Sequence, residues 1–335
     1  MRKLLCLIIV VALAGSAGAD DTKLGAAGAQ FLKIGVGSRY QGMAEASVAT
    51  VNDAYAMYWN PAGLVEVENW TVAFTTVEWL TDINLNYVGV ARQFEGVGAF
   101  GASVTVLSAG EHEITTIADQ DGTGQYYTAT SYAIGASFAR QLTNRFAFGA
   151  SAKYVGEKIG KVDSRGIAFD FGTMLYTGFR TLRLGMSITN MGPDLKFTGS
   201  DLKIAYDYND DTESDVNADP IDAELRTNPY SLPLTFRIGM AYDVELGSKS
   251  IVTLSGDFMH PNDHEQKASV GAQYEFAEKF YLRSGYKFNY DEETVAFGGG
   301  LVADVGGETQ LIIDYAWQEF GRLESTQRFS IGFTF

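Results

Sequence analysis

The chain has 335 residues, a formal net charge of −16, 18 tyrosines, 21 phenylalanines, 37 glycines, six prolines and one cysteine. The acidic balance excludes nucleic acid as a partner, because contacts to phosphates need a basic surface. The single cysteine, Cys6, lies within a predicted export signal, which leaves the mature chain without a thiol for disulfides, metal binding or catalysis.

The first nineteen residues have the pattern of a signal peptide. Arg2 and Lys3 precede an apolar run over 4–14, and small residues at 17–19 supply a cleavage site before Asp20. A membrane-anchoring helix is the alternative, but the run is shorter than the ~20 residues needed to span a bilayer. We therefore predict a signal peptide over 1–19 and export to the outer membrane.

Residues 20–68 are rich in glycine and alanine and lack the alternation of strands. We predict that they form a small N-terminal hatch inside a barrel, because a barrel of this size has a lumen wider than its own side chains can fill. A flexible periplasmic tail is the alternative. Within this segment, Asn60, Pro61, Ala62 and Gly63 predict a turn that ends the hatch, since proline forces Asn60 out of the helical region. Direct ligand contact by this motif is the other interpretation.

Within residues 69–335, segments in which apolar and polar side chains alternate recur up to the C-terminus, which predicts an all-β transmembrane antiparallel barrel. Alternation alone also fits a soluble β-sandwich. The number of segments and the aromatic residues at their ends, such as Tyr274 with Phe276 and Tyr286 with Phe288 and Tyr290, favour the barrel. The fourteen predicted strands are 69–80, 83–95, 97–108, 128–141, 146–158, 165–177, 181–190, 231–244, 250–260, 265–276, 280–290, 293–304, 309–319 and 322–335.

An even number of strands places both ends of the barrel at the periplasm, with the long connections 109–127 and 191–230 on the outer side. The second connection is acidic, and Asp207-x-Asn209-x-Asp211 imitates the opening of a calcium-binding loop. It lacks the glycine at the sixth position and has Ala218 where glutamate is needed, which favours a solvated loop. Divalent-cation bridging to surface lipids is the alternative.

The predicted lumen carries mixed charge, which usually forms ion pairs that hold a plug. This set is Lys153, Asp170, Arg183, Arg237, Asp257, Arg283, Lys287, Asp314 and Arg328. In the last strand Phe329, Ile331, Phe333 and Phe335 share the opposite face, and we interpret this strand as the signal for the barrel-assembly machinery.

Candidate chemistry is sparse. The histidines His112, His260 and His264 fall in predicted loops or strand ends, and no Gly-x-Ser-x-Gly or phosphate-binding loop is present. His260 and His264 could hold a metal, but Pro261 and the loop setting oppose the helical spacing of paired ligands. We therefore predict no enzyme activity, no metal and no cofactor.

The segment 28–43, which begins Gly28-Ala29-Gln30-Phe31 and ends Gly42-Met43, resembles the start of PorV/PorQ-family proteins, as do 52–54 and 58–64. Its Asn-Pro-Ala-Gly-Leu piece is shared with the wider FadL-like group of outer-membrane proteins. This sequence departs from the family pattern at Tyr40, Gln41, Ala44 and Glu45. The resemblance implies a fourteen-stranded barrel whose hatch contains Asn60, Pro61 and Ala62.

The resemblance implies two functions. A PorV/PorQ-like barrel would receive proteins exported by the type IX secretion system and present them at the cell surface. A FadL-like barrel would instead carry fatty acids or other hydrophobic compounds passively. By analogy with FadL-like proteins, Gly98 and Gly101 are candidates for a kink that opens the wall laterally, with simple packing as the alternative. A purely structural barrel is a third interpretation, which leaves the plug without a purpose.

Overall fold

Alternating side chains fold into fourteen long antiparallel strands, and the sequence prediction of a barrel is confirmed. The computed structural model describes residues 25–206 and 221–335, so the predicted signal peptide and the residues around Asp207 lie outside the described part. The strands are β1 Thr71–Glu78, β2 Asn84–Phe94, β3 Gly98–Glu113, β4 Tyr126–Thr143, β5 Phe146–Ile159, β6 Val162–Tyr176, β7 Arg183–Met191, β8 Thr198–Gly199, β9 Lys203–Tyr206, β10 Ile221–Glu224, β11 Thr235–Glu245, β12 Ser250–Pro261, β13 Lys267–Phe276, β14 Phe280–Phe288, β15 Val295–Gly306, β16 Thr309–Glu319 and β17 Ser325–Thr334.

Each long strand pairs with its two neighbours, and the ring closes between the first and the last strand. β1 pairs with β17 from Thr71 opposite Thr334 to Glu78 opposite Gln327. β7 pairs directly with β11, and of the described residues between them only the two-residue strand β8 joins the sheet, beside β6. Closure satisfies the backbone groups within the ladder, which a strand in hydrocarbon requires.

Among the described residues, no helix is long and apolar enough to cross a membrane.

The two faces of the wall separate as the alternation predicts. In β17, Phe329 and Phe333 are each 40% exposed, whereas Arg328 and Ser330, on either side of Phe329, are 1% and 3% exposed. The same division holds in β16, where Tyr315 is exposed and Asp314 is buried. Apolar side chains therefore face the surroundings, and polar side chains face an enclosed lumen.

The two rims of the barrel differ in the length of their connections. One rim has the short turns 95–97, 144–145, 277–279 and 307–308, and the other carries 114–125 and 192–234. The predicted loop 109–127 is shorter than expected because β3 and β4 extend beyond the membrane zone. Beyond the membrane both faces of the β3–β4 hairpin contact water. The two strands therefore stay paired although their apolar and polar side chains no longer alternate. β9 and β10, within the predicted loop 191–230, pair only with each other, and the even strand number is kept.

One aromatic residue assigned to the lipid face belongs to the lumen. Tyr286 and Phe288 are exposed as predicted, but Tyr290 lines a lumen cavity with Arg237 and Lys267. Asn289 adopts a positive φ of 61°, and β14 ends at Phe288. The left-handed backbone interrupts the alternation and redirects the next side chain inward.

Residues 25–67, here called the hatch, run through the lumen from the outer rim to the periplasmic rim. At the outer rim the Gly25 amide donates to the Asp263 carbonyl, and at the other rim Trp70 exchanges backbone hydrogen bonds with Phe335. The hatch contains four short helices, Gln30–Lys33, Ser38–Gln41, Ala56–Trp59 and Pro61–Glu66. None is long enough to be stable alone, so their conformation depends on the surrounding wall.

Replacing Ile188 by lysine tests the assignment of the outer face. Ile188 is 39% exposed near the middle of β7, where a lysine would enter hydrocarbon and lower the free energy of unfolding by about 2–4 kcal/mol. The measurement is a urea titration of the protein folded into lipid vesicles. Ile117→Lys is the control, because Ile117 is 96% exposed in the outer connection 114–125 and its substitution should leave stability unchanged. Equal effects of the two variants would contradict the membrane assignment.

Candidate functional site: the hatch and its contacts with the wall

The Asn60-Pro61-Ala62-Gly63 motif forms a buried corner between two hatch helices. Asn60 caps the helix Pro61–Glu66, because its Oδ1 accepts from the Ala62 amide at 3.2 Å. Its Nδ2 donates to the Val48 carbonyl at 2.8 Å and to the Thr173 carbonyl of β6 at 3.1 Å. Asn60 is fully buried, so one side chain joins two hatch segments to the wall.

The wall meets this corner with glycines. A Cβ built on Gly172 of β6 would lie 2.0 Å from Asn60 Oδ1, and one on Gly149 of β5 would lie 2.3 Å from the Pro61 carbonyl carbon. Gly63 itself lies against the Val51 carbonyl. The absence of side chains at these positions lets the hatch backbone touch the strands directly.

Glycines on other strands of the barrel make the same close contact with the hatch. A Cβ on Gly185 of β7 would lie 2.3 Å from the Val48 carbonyl oxygen. A Cβ on Gly271 of β13 or on Gly285 of β14 would lie 2.5 Å from the Met43 backbone. The sequence analysis did not identify these glycines. They occupy positions that the alternation assigns to the lumen face of each strand, and this pattern could have identified them.

Charged wall residues hold the rest of the hatch. Asp257 Oδ2 accepts from the amides of Ser47 and Val48 at 2.8 Å and 2.9 Å, and Lys287 Nζ lies 2.9 Å from Glu45 Oε1. Arg328 Nε donates to the Gly35 carbonyl at 3.1 Å. These wall groups come from the set predicted to face the lumen, and Lys287 with Glu45 forms an ion pair of the kind predicted to hold the plug.

Other members of the set pair with wall residues. Lys153 Nζ lies 2.8 Å from Asp170 Oδ1, Arg183 pairs with Asp243 at 2.8 Å, and Arg283 pairs with Asp314. Arg237 packs instead over the ring of Trp59, 5.2 Å from its centroid. All nine side chains of the set face the lumen.

The residues that depart from the family pattern have partners in this chain. Tyr40 Oη donates to Asp53 Oδ2 at 2.7 Å, and Gln41 contacts Gln318 of β16. Glu45, in the left-handed region with φ of 65°, makes the ion pair with Lys287. The local packing of the hatch has therefore adapted to these side chains.

Gly98 and Gly101 lie in β3 beside the hatch. Pairing of β3 with β2 runs in register from Gly98 to Ser108, and the register shift toward β4 falls between Ser108 and Glu111. A Cβ on Gly101 would lie 2.4 Å from Met57 Sδ, so this glycine makes room for the hatch. Its role in a lateral opening stays a prediction.

A family model described as type IX secretion system protein PorV matches residues 17–205. The chain belongs to this family. The family and the fold identify an outer-membrane protein. No curated protein matches the chain in sequence.

The PorV-family barrel is also similar to solved structures of hydrocarbon channels. The toluene transporter TodX of Pseudomonas putida is 14% identical, with 89% of this chain and 97% of that chain covered and a TM-score of 0.59. The CymD monoaromatic hydrocarbon channel is 15% identical, with coverage of 90% and 98% and a TM-score of 0.58. The toluene transporter TbuX of Ralstonia pickettii is 14% identical, with coverage of 89% and 97% and a TM-score of 0.54. At this identity the likeness establishes the shared fold.

At the outer mouth of the PorV-family barrel, the helix Gln30–Lys33 separates two cavities. A cavity of about 610 Å³ lies above it, and a cavity of about 430 Å³ lies below it, and Gln30 and Lys33 line both. Asp263, in the connection after β12, accepts from Gln30 Nε2 at 2.6 Å and from Lys33 Nζ at 3.0 Å. This contact is here called the outer latch.

The predicted histidines do not converge. His264 Nε2 lies 3.2 Å from Asp291 at the outer rim, whereas His112 packs against Tyr127 on the β3–β4 hairpin. Within residues 25–206 and 221–335, no group of three or more His, Cys, Asp or Glu side chains is arranged to hold a metal ion.

Filling the wall at Gly172 tests the close approach of the hatch. Gly172→Ala places a methyl group where Asn60 lies, and we expect a loss of about 1–3 kcal/mol of stability from overpacking. Limited proteolysis should then cut the hatch faster than in the wild type. Gly256→Ala is the matched control, since its Cβ would meet nothing closer than 3.7 Å. Equal protease resistance in both variants would refute the contact.

Acid should open the outer latch. Burial alone would raise the pKa of Asp263, but hydrogen bonds from Gln30 and Lys33 outweigh it and hold the pKa below its ordinary value of 3.8. The latch therefore stabilises the fold fully above pH 3.8, and this contribution is lost as pH falls through the lower folded pKa.

The distance between spin labels on Ala27→Cys and Glu265→Cys reports the latch, since the sequence has no cysteine after Cys6. It should lengthen in acid, and Asp263→Asn should lengthen it at neutral pH. Asp291→Asn is the control with the same loss of charge. An unchanged distance in Asp263→Asn would show that the latch does not hold the helix.

Proposed function

We propose that this barrel serves type IX secretion as a surface receiver, which binds exported proteins at its outer rim while its own lumen stays closed. The observation that carries the proposal is the hatch, which is fixed to the wall on every side. Membership of the PorV family supports the link to secretion. The barrel-assembly machinery, through the strand that ends at Phe335, is proposed as the partner during insertion.

A closed lumen follows from the contacts of the hatch. It touches β5 through Pro61, β6 through Asn60, β12 through Asp257, β14 through Lys287 and β17 through Arg328. The cavity below the outer latch has a volume of about 430 Å³, which is the size of a small molecule. An exported protein cannot use this path, so a secretion role must lie on the outer surface.

The outer rim offers two projecting hairpins. β3 and β4 extend as one ribbon to the connection 114–125, and β9 and β10 form a separate hairpin. The second hairpin exposes apolar side chains, which on a surface away from lipid mark an interaction site. These are Ile204, Tyr206, Ile221 and Leu225, between 38% and 52% exposed.

A second candidate is passive transport of a hydrophobic small molecule, supported by the cavity below the latch. Phe31, Ile34, Trp79 and Leu107 supply apolar lining, and the fold is shared with the TodX and CymD channels. The same cavity also contains charged groups, including Glu45, Arg237 and Glu293, which disfavour an apolar ligand. We propose no catalytic role for either function.

The two functions separate in a deletion strain of the source organism. Loss of the gene should remove exported proteins from the cell surface and leave uptake of monoaromatic hydrocarbons unchanged. The reverse outcome would establish the transport alternative. Surface proteomics and uptake of a labelled hydrocarbon are the two measurements.

Complementation with hairpin variants tests the receiver surface. Replacing Ile204, Tyr206, Ile221 and Leu225 by serine should leave barrel assembly intact and still reduce the surface-exposed proteins, because apolar contact area is lost. Ile117→Ser, on the other hairpin connection, is the control for an exposed apolar residue. If all variants restore the wild-type surface proteome, the β9–β10 hairpin is not the receiver.

A further inference from the structure

A basic sector interrupts the acidic outer rim of the barrel. Lys158, Lys161, Arg165 and Lys196 are all exposed within the stretch that covers the end of β5, the start of β6 and the segment before β8. The chain as a whole has a net charge of −16, and elsewhere the outer rim presents acidic groups. These include Glu111, Glu265, Asp291 and Glu292.

Strand register brings these basic residues to one patch on the outward face. Tyr132 of β4, Gly156 of β5 and Arg165 of β6 lie side by side, and Lys158 with Asp163 forms the next row toward the outer rim. Asp163 also pairs with Thr198 of β8. Continuing that register brings Lys196 beside Arg165. Its neighbour Leu195 is buried against Gly166, on the lumen side of the wall, so Lys196 lies on the opposite face.

The patch lies directly above the apolar belt. The row below Arg165 consists of Ile134, Tyr154 and Ile167, which are 51%, 42% and 49% exposed. The rings of Tyr132 and Tyr154 lie 6.2 Å apart, as part of the outer aromatic girdle. Basic side chains just outside such a girdle are at the level of lipid headgroups.

The floor of the patch is flat because of one glycine. A Cβ on Gly156 would lie 2.4 Å from the Tyr132 ring, so the ring covers the position where a side chain would stand. Arg165 Nε pairs with Asp163 at 2.7 Å, which fixes the guanidinium on this surface. Its fork geometry suits a phosphate, and the lysines beside it add point charges.

We propose that Lys158, Arg165 and Lys196, with Lys161 at the edge, bind the phosphate groups of a phosphorylated glycolipid of the outer leaflet, of the lipid A class. The acyl chains lie against Ile134, Tyr154 and Ile167 below the phosphates. This site is on the outer wall and does not depend on whether the barrel serves secretion or uptake.

Asp163, which pairs with Arg165, competes with a phosphate for the patch, and an acidic segment of the chain is a second competitor. Residues 207–220 follow β9 and precede β10 in the sequence, and they include six acidic side chains and no lysine or arginine. If these acids neutralised the patch, lipid phosphate would bind only after their removal. The experiment therefore includes a variant in which the aspartates and the glutamate of 207–220 are changed to asparagine and glutamine.

The test uses the full-length mature protein in detergent and measures lipid binding by native mass spectrometry. The probes are bisphosphorylated lipid A, dephosphorylated lipid A and inorganic phosphate. The triple variant Lys158→Gln, Arg165→Gln and Lys196→Gln should weaken binding of bisphosphorylated lipid A at least about tenfold. The control triple variant Arg140→Gln, Arg180→Gln and Lys249→Gln removes the same charge at the periplasmic rim and should bind as the wild type does.

Several results would overturn the proposal. These are equal binding by the two triple variants, equal binding of the dephosphorylated lipid, binding of inorganic phosphate with the same affinity, or lipid binding that appears only in the variant of 207–220. Heat-modifiable migration on gels, measured for every variant, ensures that only folded barrels are compared.

Discussion

The direct approach of the hatch backbone to the barrel wall is the contact on which the rest of the structure depends. It is possible only where the wall has no side chain, as at Gly149, Gly172, Gly185 and Gly271. Short helices of four to six residues are unstable alone, so the wall must supply their tertiary packing. The packing against the wall that fixes the conformation of the hatch therefore also closes the lumen.

Polar contacts then fix the orientation that close packing allows. Asp257 binds the Ser47 and Val48 amides, and Arg328 binds the Gly35 carbonyl, so wall charges satisfy hatch backbone groups that have no partner within a helix. In a water-poor lumen such bonds are costly to lose, because the freed groups would stay buried. A lumen closed in this way leaves the outer rim as the surface available to a secretion partner.

The same alternation that closes the lumen also shapes the outside of the barrel. Each strand that turns a charge inward presents an apolar side chain to lipid, and the pattern ends where the strands leave the membrane. Above that level Lys158 and Arg165 face outward in positions that an apolar residue would occupy lower down. The outward face of a single strand is therefore apolar within the membrane and carries charged side chains beyond it.

The alternation along the chain was enough to predict the barrel, its fourteen strands, its two faces and the charged residues of the lumen, because a period of two assigns each side chain to a face regardless of its neighbours. The residue types at Asn60 and Pro61 also predicted a turn, although the hatch continues beyond it as the helix Pro61–Glu66. The alternation did not show which lumen charges bind the hatch, which glycines receive it or that Tyr290 turns inward. Those outcomes depend on which strands become neighbours across the lumen and on local backbone conformation at Asn289, and neither is encoded in the alternation of a single strand.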